Sequence, residues 1–196
     1  PRLAPIQAVI VPIFKNEDER ALVLPVVDKV KSELTGIRVK VDDRTEVTPG
    51  FKFNDWELRG VPIRIEIGPK DVEKGSVALA RRDTPGREGK SFIPQAGLKA
   101  AVETMLTAIH MAMLEKARAF RDAHIFEPTD YEEFKQVVQN GWAFSYWCGR
   151  SECEAQIKEN TKATTRCIPL DQNTAPGKCI HCGEPAREKV YSARAY

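Results

Sequence analysis

The stretch that organises the chain spans residues 42–90 and reads DDRTEVTPGFKFNDWELRGVPIRIEIGPKDVEKGSVALARRDTPGREGK. Turn signals bracket it, because Thr48-Pro49-Gly50 stands near its start and Asp83-Thr84-Pro85-Gly86 near its end. Between these turns, residues 61–67 and 77–82 are rich in β-branched and small apolar side chains, which predicts two strands. A polar turn is predicted between the strands.

Aromatic, acidic and basic side chains alternate along this stretch, a mixture that suits single-stranded RNA. Unstacked bases can stack on rings, and charged side chains can read the base edges. A guanine is the sharpest test, since a carboxylate can accept from one of its edges while an Arg donates to two acceptors on the other. Candidate acceptors are Glu57 and Asp71, and candidate donors are Arg64 and Lys70. An ordinary α/β surface with solvated charges is the alternative, which this chemistry leaves open.

The flanking segments predict alternating strands and helices. Residues 7–13 form a continuous apolar run typical of a buried parallel strand, and residues 37–41 are a second strand. Between them, Asn16 is a candidate cap for a helix that Pro25 would kink or delay, and the order of elements predicts a parallel pair. The apolar stripe of this helix consists of Leu22, Val26, Val30 and Leu34.

Further helices are predicted on both sides of the strands. Residues 51–58 form a short one, on which Phe53, Trp56 and Glu57 share a face with Trp56 packed inward. Residues 98–123 form the longest one, and residues 131–139 a short one followed by a strand at 142–147. The stripe of the longest helix consists of Leu98, Val102, Met105, Leu106, Ile109, Met113, Ala117 and Phe120, and Met111 is also predicted to fill the core.

Four cysteines in two close pairs predict a metal site. Cys148 and Cys153 have four residues between them, and Cys179 and Cys182 have two, within a glycine-flanked knuckle. Such spacing is typical of tetrahedral zinc with a structural role, because four thiolates leave no open position. A redox pair and a zinc site with His181 as one ligand remain alternatives. The odd thiol, Cys167, is predicted to be buried and free on a strand.

Composition bounds the classes of function. The 196 residues include 42% hydrophobic side chains and carry a formal net charge of +2. Because this net charge is small, it gives no support for nucleic-acid binding, and an RNA site must be a local basic patch. Such a patch holds the candidate phosphate contacts Lys74, Arg81, Arg82 and Lys90. Five cysteines argue against a secreted disulfide framework and for a reducing cytoplasm, and no apolar run suits a membrane span.

Several pieces of the chain resemble the anticodon-binding domain of prolyl-tRNA synthetase, a class II aminoacyl-tRNA synthetase. The pieces are DDR at 42–44, TPG at 48–50, FNDWE at 53–57, GVP at 60–62 and GPKD at 68–71. The resemblance continues over essentially the whole chain. It implies that the two guanines of the proline anticodon are read at positions matching Phe53, Glu57, Arg64, Lys70 and Asp71.

The same resemblance implies the domain organisation. It points to the archaeal/eukaryote-like branch, which carries a C-terminal zinc-binding domain that the bacterial-like branch lacks. We therefore expect an α/β anticodon-binding domain at residues 1–125, with a mixed sheet flanked by helices. A small zinc-stabilised α+β domain follows at residues 126–196, with zinc held by Cys148, Cys153, Cys179 and Cys182.

The resemblance also implies what lies outside the chain. The family attaches proline to its tRNA in an ATP-dependent two-step reaction in the cytoplasm, and its members are homodimers. No catalytic residue is expected in these 196 residues, which start without an initiator Met, so ATP and magnesium would belong to an upstream catalytic domain. The expected partner is the tRNA for proline, with no DNA and no membrane. A stand-alone zinc-containing RNA-binding or adaptor module is the alternative.

The C-terminal tail has a predicted role of its own. Residues 189–191 have strand character, so the chain is expected to be ordered almost to its end. By resemblance, the ring and carboxylate of Tyr196 are expected to reach toward the active site of the upstream domain, and simple anchoring of the terminus is the alternative.

Overall fold

The structure is a computed structural model that describes residues 1–172 and 175–195. It consists of two compact units, Pro1–Glu115 and Lys116–Tyr196, here called the N-terminal unit and the C-terminal unit. The functional boundary at residues 125 and 126 stays a prediction. Among the described residues, every helix is too short or too polar to span a lipid bilayer.

The N-terminal unit is built on a mixed five-stranded sheet, as predicted. Its strands are β1 (Ala8–Pro12), β2 (Val39–Val41), β3 (Ile63–Ile67), β4 (Ser76–Arg81) and β5 (Lys90–Pro94), in the order β2-β1-β3-β4-β5. β1 pairs in parallel with β2 and β3, which confirms the parallel pair, and β4 pairs antiparallel with β3 and β5. β5 was not predicted from the sequence, because its alternation is short and ends at a proline.

The first helix, α1 (Glu17–Glu33), follows β1 and is capped as predicted. The side chain of Asn16 accepts a hydrogen bond from the backbone N–H of Glu19 at 2.8 Å. The prediction that Pro25 could delay the start of this helix was wrong, because the helix begins at Glu17 and continues through Pro25. The predicted stripe was wrong by one position in the first two turns: Val23 and Val27 are buried, whereas Leu22 is exposed.

Three more helices belong wholly or partly to this unit: α2 (Pro49–Leu58), α3 (Pro69–Glu73) and α4 (Leu98–Asp122). The short α3 occupies most of the predicted polar turn. In α4 the stripe holds from Leu98 to Ile109, but Met113 and Phe120 are exposed, as is Met111. The prediction of core positions in the second half of α4 was therefore wrong.

The two faces of the sheet have different environments, because successive side chains of a strand point to opposite sides. The main core lies on one face, where Ile63, Ile65 and Ile67 of β3 are buried. On the other face, Val9 and Val11 of β1 pack against Trp56 of α2. Arg64 and Glu66 of β3 therefore point to the face on which α2 lies.

The C-terminal unit is a small α+β unit. In the part of the chain that the structure describes, β6 (Ile125–Phe126), β7 (Trp142–Trp147), β11 (Glu188–Arg194) and β8 (Ala163–Cys167) form a sheet in the order β6-β7-β11-β8. A second pair joins β9 (Gly177–Lys178) and β10 (Pro185–Ala186). β7 has the predicted bounds, and β11 confirms that the chain is ordered to Arg194.

Helices α5 (Tyr131–Val137) and α6 (Ser151–Thr161) complete this unit. Its core is a small apolar cluster that includes Phe134, Val138 and Ile157. Turns were predicted around the cysteines, and α6 was not predicted because its polar sequence gives little periodic signal. Cys153 is therefore held on a helix.

Candidate nucleic-acid interface and metal centre

The candidate guanine site is centred on Arg64 near the start of β3. Its guanidinium carbon lies 4.0 Å from the centroid of the Phe53 ring. Nη1 donates to Oε1 of Glu57 at 2.6 Å, and Nε donates to Oε1 of Glu66 at 3.0 Å. The structure thus brings together three of the predicted reader residues, which come from the consecutive elements α2 and β3. A planar guanidinium stacked on a ring beside a half-exposed carboxylate offers both hydrogen-bonding partners that a guanine needs.

A buried carboxylate fixes the helix that carries Phe53 and Glu57. Oδ2 of Asp42, which is 1% exposed, accepts from Nε1 of Trp56 and from Nη2 of Arg44, each at 2.7 Å. Nζ of Lys52 donates to the Asp42 carbonyl at 3.1 Å, and Arg44 also reaches Asp55 at 2.9 Å. Trp56 is therefore packed, as predicted, and α2 is tied to the end of β2.

The hydrogen bonds to Asp42 govern its titration. Burial by itself would raise the pKa of this carboxyl, but hydrogen bonds from Arg44 and Trp56 outweigh burial and lower the pKa to about 2. The carboxylate is thus ionised at neutral pH.

Lys70 and Asp71 lie away from Arg64, just beyond the opposite end of β3. Oδ2 of Asp71 accepts from the backbone N–H of Gly68 at 2.9 Å and so caps α3, while Lys70 is exposed. At roughly 3.3 Å per strand residue, Gly68 is about 13 Å from Arg64. The predicted reader residues therefore form two groups, one at each end of β3.

The candidate phosphate contacts have different surroundings. Arg81 pairs with Asp83 at 2.6 Å and lies opposite Ile63, on the face away from Arg64. Nε of Arg82 donates to the Glu57 carbonyl at 2.7 Å, beside the guanine site. Nζ of Lys90 donates to Oε2 of Glu66 at 2.6 Å, and Lys74 is exposed at the end of α3.

Two residues of this face were not singled out from the sequence, Glu66 and Phe92. Glu66 is buried between Arg64 and Lys90, and Phe92 is 67% exposed on β5. The signal for Glu66 was its spacing of two residues from Arg64, which puts both on one face of a strand.

The four predicted metal ligands converge in the C-terminal unit. The Sγ atoms of Cys148, Cys153, Cys179 and Cys182 all lie within 4.8 Å of one another. Among them, Cys148 lies 3.5 Å from Cys153 and 3.8 Å from Cys182. A tetrahedral ion with sulfur ligands at about 2.3 Å needs sulfur atoms about 3.8 Å apart, so this donor set fits such an ion.

A backbone turn and the side chain of Arg150 lie against the cysteine cluster and help to position its thiols. The N–H of Gly183 donates to the Cys179 carbonyl at 2.9 Å. Gly183 has a φ of 74°, a conformation that glycine adopts readily, which explains the glycine directly after Cys182. Nη2 of Arg150 donates to Sγ of Cys182 at 3.2 Å. Burial would raise the pKa of Cys148, but hydrogen bonds from Arg150 and neighbouring cysteines lower it to about 6.

The structure narrows the alternatives for the cysteines. Within the described residues, the group that could hold a metal contains no histidine, and the ring of His181 packs edge-on against Tyr131. Cys179 and Cys182 follow the two-residue β9 and open no helix, unlike a thioredoxin-type redox motif. Cys167 is on a strand but exposed, so its predicted burial was wrong, because it is the last residue of an outer strand.

Comparison with known proteins decides the family. A family model described as an anticodon binding domain matches residues 7–93, and one described as "Prolyl-tRNA synthetase, C-terminal" matches residues 131–196. Proteins named "Proline--tRNA ligase" from Roseiflexus castenholzii and Chloroflexus aurantiacus are 56% and 51% identical over 197 residues, covering 100% of this chain. The chain belongs to the prolyl-tRNA synthetase family. The resemblance predicted from the sequence is confirmed.

Within the prolyl-tRNA synthetase family, this chain corresponds to the C-terminal part of its relatives. It spans 41% of the length of those two proteins and 37% of the "Proline--tRNA ligase, chloroplastic/mitochondrial" of Arabidopsis thaliana, which is 44% identical over 202 residues. Phe53, Glu57 and Arg64 lie in the anticodon-domain match, and the cysteine cluster lies in the C-terminal match. The archaeal/eukaryote-like branch stays a prediction, and Tyr196 lies outside the described residues.

Proposed function

We propose that the chain recognises the anticodon of the tRNA for proline as the RNA-binding portion of a prolyl-tRNA synthetase. The observation that carries this proposal is the assembly of Phe53, Glu57 and Arg64 at one site on the anticodon-binding domain. All three side chains come from elements that the Asp42 network or the sheet holds in position. Preorganised donors and acceptors favour specific recognition, because little conformational entropy is lost on binding.

In the proposed mechanism one guanine is read at Arg64. Its base stacks beside the Phe53 ring, the guanidinium donates to the two acceptors of its major-groove edge, and Glu57 accepts from its Watson–Crick edge. Glu57 releases its hydrogen bond from Arg64 in exchange for the base. The buried Glu66 keeps its hydrogen bond from Nε of Arg64 and so holds the guanidinium in position over the Phe53 ring.

The second guanine is assigned to Lys70 and Asp71 at the other end of β3. The exposed ammonium of Lys70 donates to the base, and the second carboxylate oxygen of Asp71 accepts from it while Oδ2 caps Gly68. Phosphates of the bound strand are neutralised by Lys74 and Arg82. Arg81 is less well placed to contact phosphates, because it is paired with Asp83 on the other face of the sheet.

The metal of the cysteine cluster is proposed to be zinc with a structural role. Four thiolates suit zinc, and Arg150 offsets part of their negative charge. When bound, the ion would link β7, α6 and the turn after β9, and so stabilise a unit whose apolar core is small.

The names of the relatives support a proposed activity for the whole protein. Proteins that contain a match to the entire chain are named proline–tRNA ligases, so we assign the chain to an enzyme that joins proline to its tRNA with ATP. ATP and magnesium would bind in a catalytic domain outside this chain, in a cytoplasmic homodimer. A stand-alone RNA-binding module is less well supported, because the chain corresponds to only part of each of these relatives.

Substitution of Arg64 tests the proposed site. Arg64→Ala is expected to cost about 1–3 kcal/mol of discrimination at one of the two guanine positions, because the bidentate donor is lost. Arg64→Lys is expected to recover affinity but little discrimination, since an ammonium lacks the planar fork. Dissociation constants are measured for anticodon stem-loops with guanine or adenine at the second and third anticodon letters.

Arg20→Ala is the matched control for this measurement, since Arg20 is an ion-paired arginine on α1. It is expected to leave both affinity and discrimination unchanged. An Arg64→Ala protein that discriminates as well as the wild type would remove Arg64 from the set of reader residues.

A further inference from the structure

Phe92 is an exposed aromatic residue beside the candidate guanine site. It lies on β5, an edge strand of the sheet of the N-terminal unit, with 67% of its surface accessible. One exposed ring is ordinary on a protein surface. The position of Phe92 relative to Arg64 distinguishes it from such isolated residues.

The strand register puts Phe92 on the same face as Arg64. Lys90 is paired with Ala80, which is paired with Arg64, and Phe92 is paired with Ala78, which is paired with Glu66. Directly paired residues of neighbouring strands point to the same side of the sheet. Because adjacent strands are about 4.8 Å apart, β5 lies roughly 10 Å from β3.

Side chains connect the two ends of this surface without a break. Since Ala78 and Ala80 of β4 are small, Lys90 reaches over them and binds Glu66 at 2.6 Å. Its Nζ also lies 5.7 Å from the centroid of Phe92. The contacts therefore run from Phe53 through Arg64, Glu66 and Lys90 to Phe92, with an aromatic ring at each end.

We infer that Phe92 and Lys90 form a third nucleotide subsite, which stacks one further base of the bound strand without reading its identity. The inference rests on the proposed function, which supplies single-stranded RNA as the ligand. An exposed ring offers a stacking surface to any base, and a neighbouring ammonium attracts the phosphate backbone. Phe92 itself has no hydrogen-bonding group for a base edge, so the subsite contributes affinity and no sequence preference.

Binding of anticodon stem-loops to Phe92 variants of this chain tests the inference. The probes are the proline stem-loop and two loops in which the second or third anticodon guanine is replaced by adenine. Phe92→Ala is expected to weaken binding of all three by about 10-fold, in line with the effect of removing one stacking ring. The ratio between the proline loop and the altered loops is expected to stay at the wild-type value.

Two variants control for other effects. Phe92→Trp is expected to bind at least as tightly as the wild type, because a larger ring still stacks. Phe120→Ala, which removes an equally exposed phenylalanine from the C-terminal unit, is expected to have no effect.

The possible outcomes separate the subsite from the proposed function. Wild-type affinity in Phe92→Ala together with intact guanine discrimination would overturn the subsite and leave the proposed function standing. If Phe92→Ala weakens binding of all three loops equally and the wild-type chain shows no preference for guanine, the subsite is supported and the proposed function is contradicted. In a third outcome, the wild-type chain is a dimer and Phe92→Ala dissociates it without changing RNA affinity. This result would overturn the subsite and indicate an interface between copies of the chain.

Discussion

Replacing Cys179 and Cys182 together by serine is expected to release the metal and to unfold the C-terminal unit. The reason is that the apolar core of this unit is small, whereas binding of a structural zinc is worth about 10–16 kcal/mol in small zinc-dependent domains. The N-terminal unit has a separate and larger core, so it is expected to stay folded. Elemental analysis should find about one zinc per wild-type chain and none in the variant, and circular dichroism should detect the lost structure.

Two further variants sharpen this test. Cys167→Ser changes an exposed thiol outside the cluster and is expected to alter neither metal content nor folding. Arg150→Ala is expected to keep the stoichiometry but to speed metal loss to a chelator, because a donor to the Cys182 sulfur is removed. Full metal content in the double-serine variant would rule out this ligand set.

Asp42→Asn is expected to destabilise the N-terminal unit by about 3 kcal/mol at pH 7, the size of effect seen when one partner of a buried ion pair is removed. The amide can still accept from Trp56, but Arg44 and the buried Lys52 lose the negative charge that they surround. Because Asp42 ties α2 to the sheet, the variant is also expected to weaken RNA binding through Phe53 and Glu57. Urea unfolding at fixed pH gives the free energy.

The pH dependence of stability supplies an independent readout. The pKa of Asp42 is lowered from 3.8 to about 2 in the folded chain, so its contribution is fully present above about pH 5 and is lost as the pH falls toward 2. The difference between wild type and Asp42→Asn should therefore shrink by roughly 2 kcal/mol over this range. Glu103→Gln, which removes the exposed partner of Lys99 on α4, is the control and should show little change. A difference that does not vary with pH would contradict the assigned role of Asp42.

Features with strong local sequence signals were predictable from the sequence. The apolar run of β1 and the cysteine spacing depend on neighbouring residues, and the structure confirms the buried strand and the convergence of the four thiols. The turn predicted at residues 48–50 was wrong, because Thr48 is the N-cap of α2 and Pro49 and Gly50 are its first residues. Elements with weak local patterns were missed, since β5 alternates only briefly, α3 is a single short turn and α6 is polar. In α1 the error of one position arose because Leu22 and Val23 both fit the helical period, and only tertiary packing selects Val23.

The composition of the site could be predicted more easily than its geometry. Residue types suggested Phe53, Glu57 and Arg64, but their contact depends on α2 folding back over the start of β3, which the residue types alone do not specify. The same arrangement puts Lys70 and Asp71 in a second group. The role of Glu66 depends on pairing across three strands, because Lys90 reaches it only over two alanines.

The most direct test of the account is the affinity of the unaltered chain for three RNA loops. Dissociation constants are measured at one salt concentration for the proline anticodon stem-loop and for loops with adenine at the second or the third anticodon letter, since phosphate contacts make affinity depend on salt. We expect each change to weaken binding by about 10-fold or more, because each guanine has its own group of reader residues. Equal binding of all three loops would contradict the assignment of this surface to anticodon recognition.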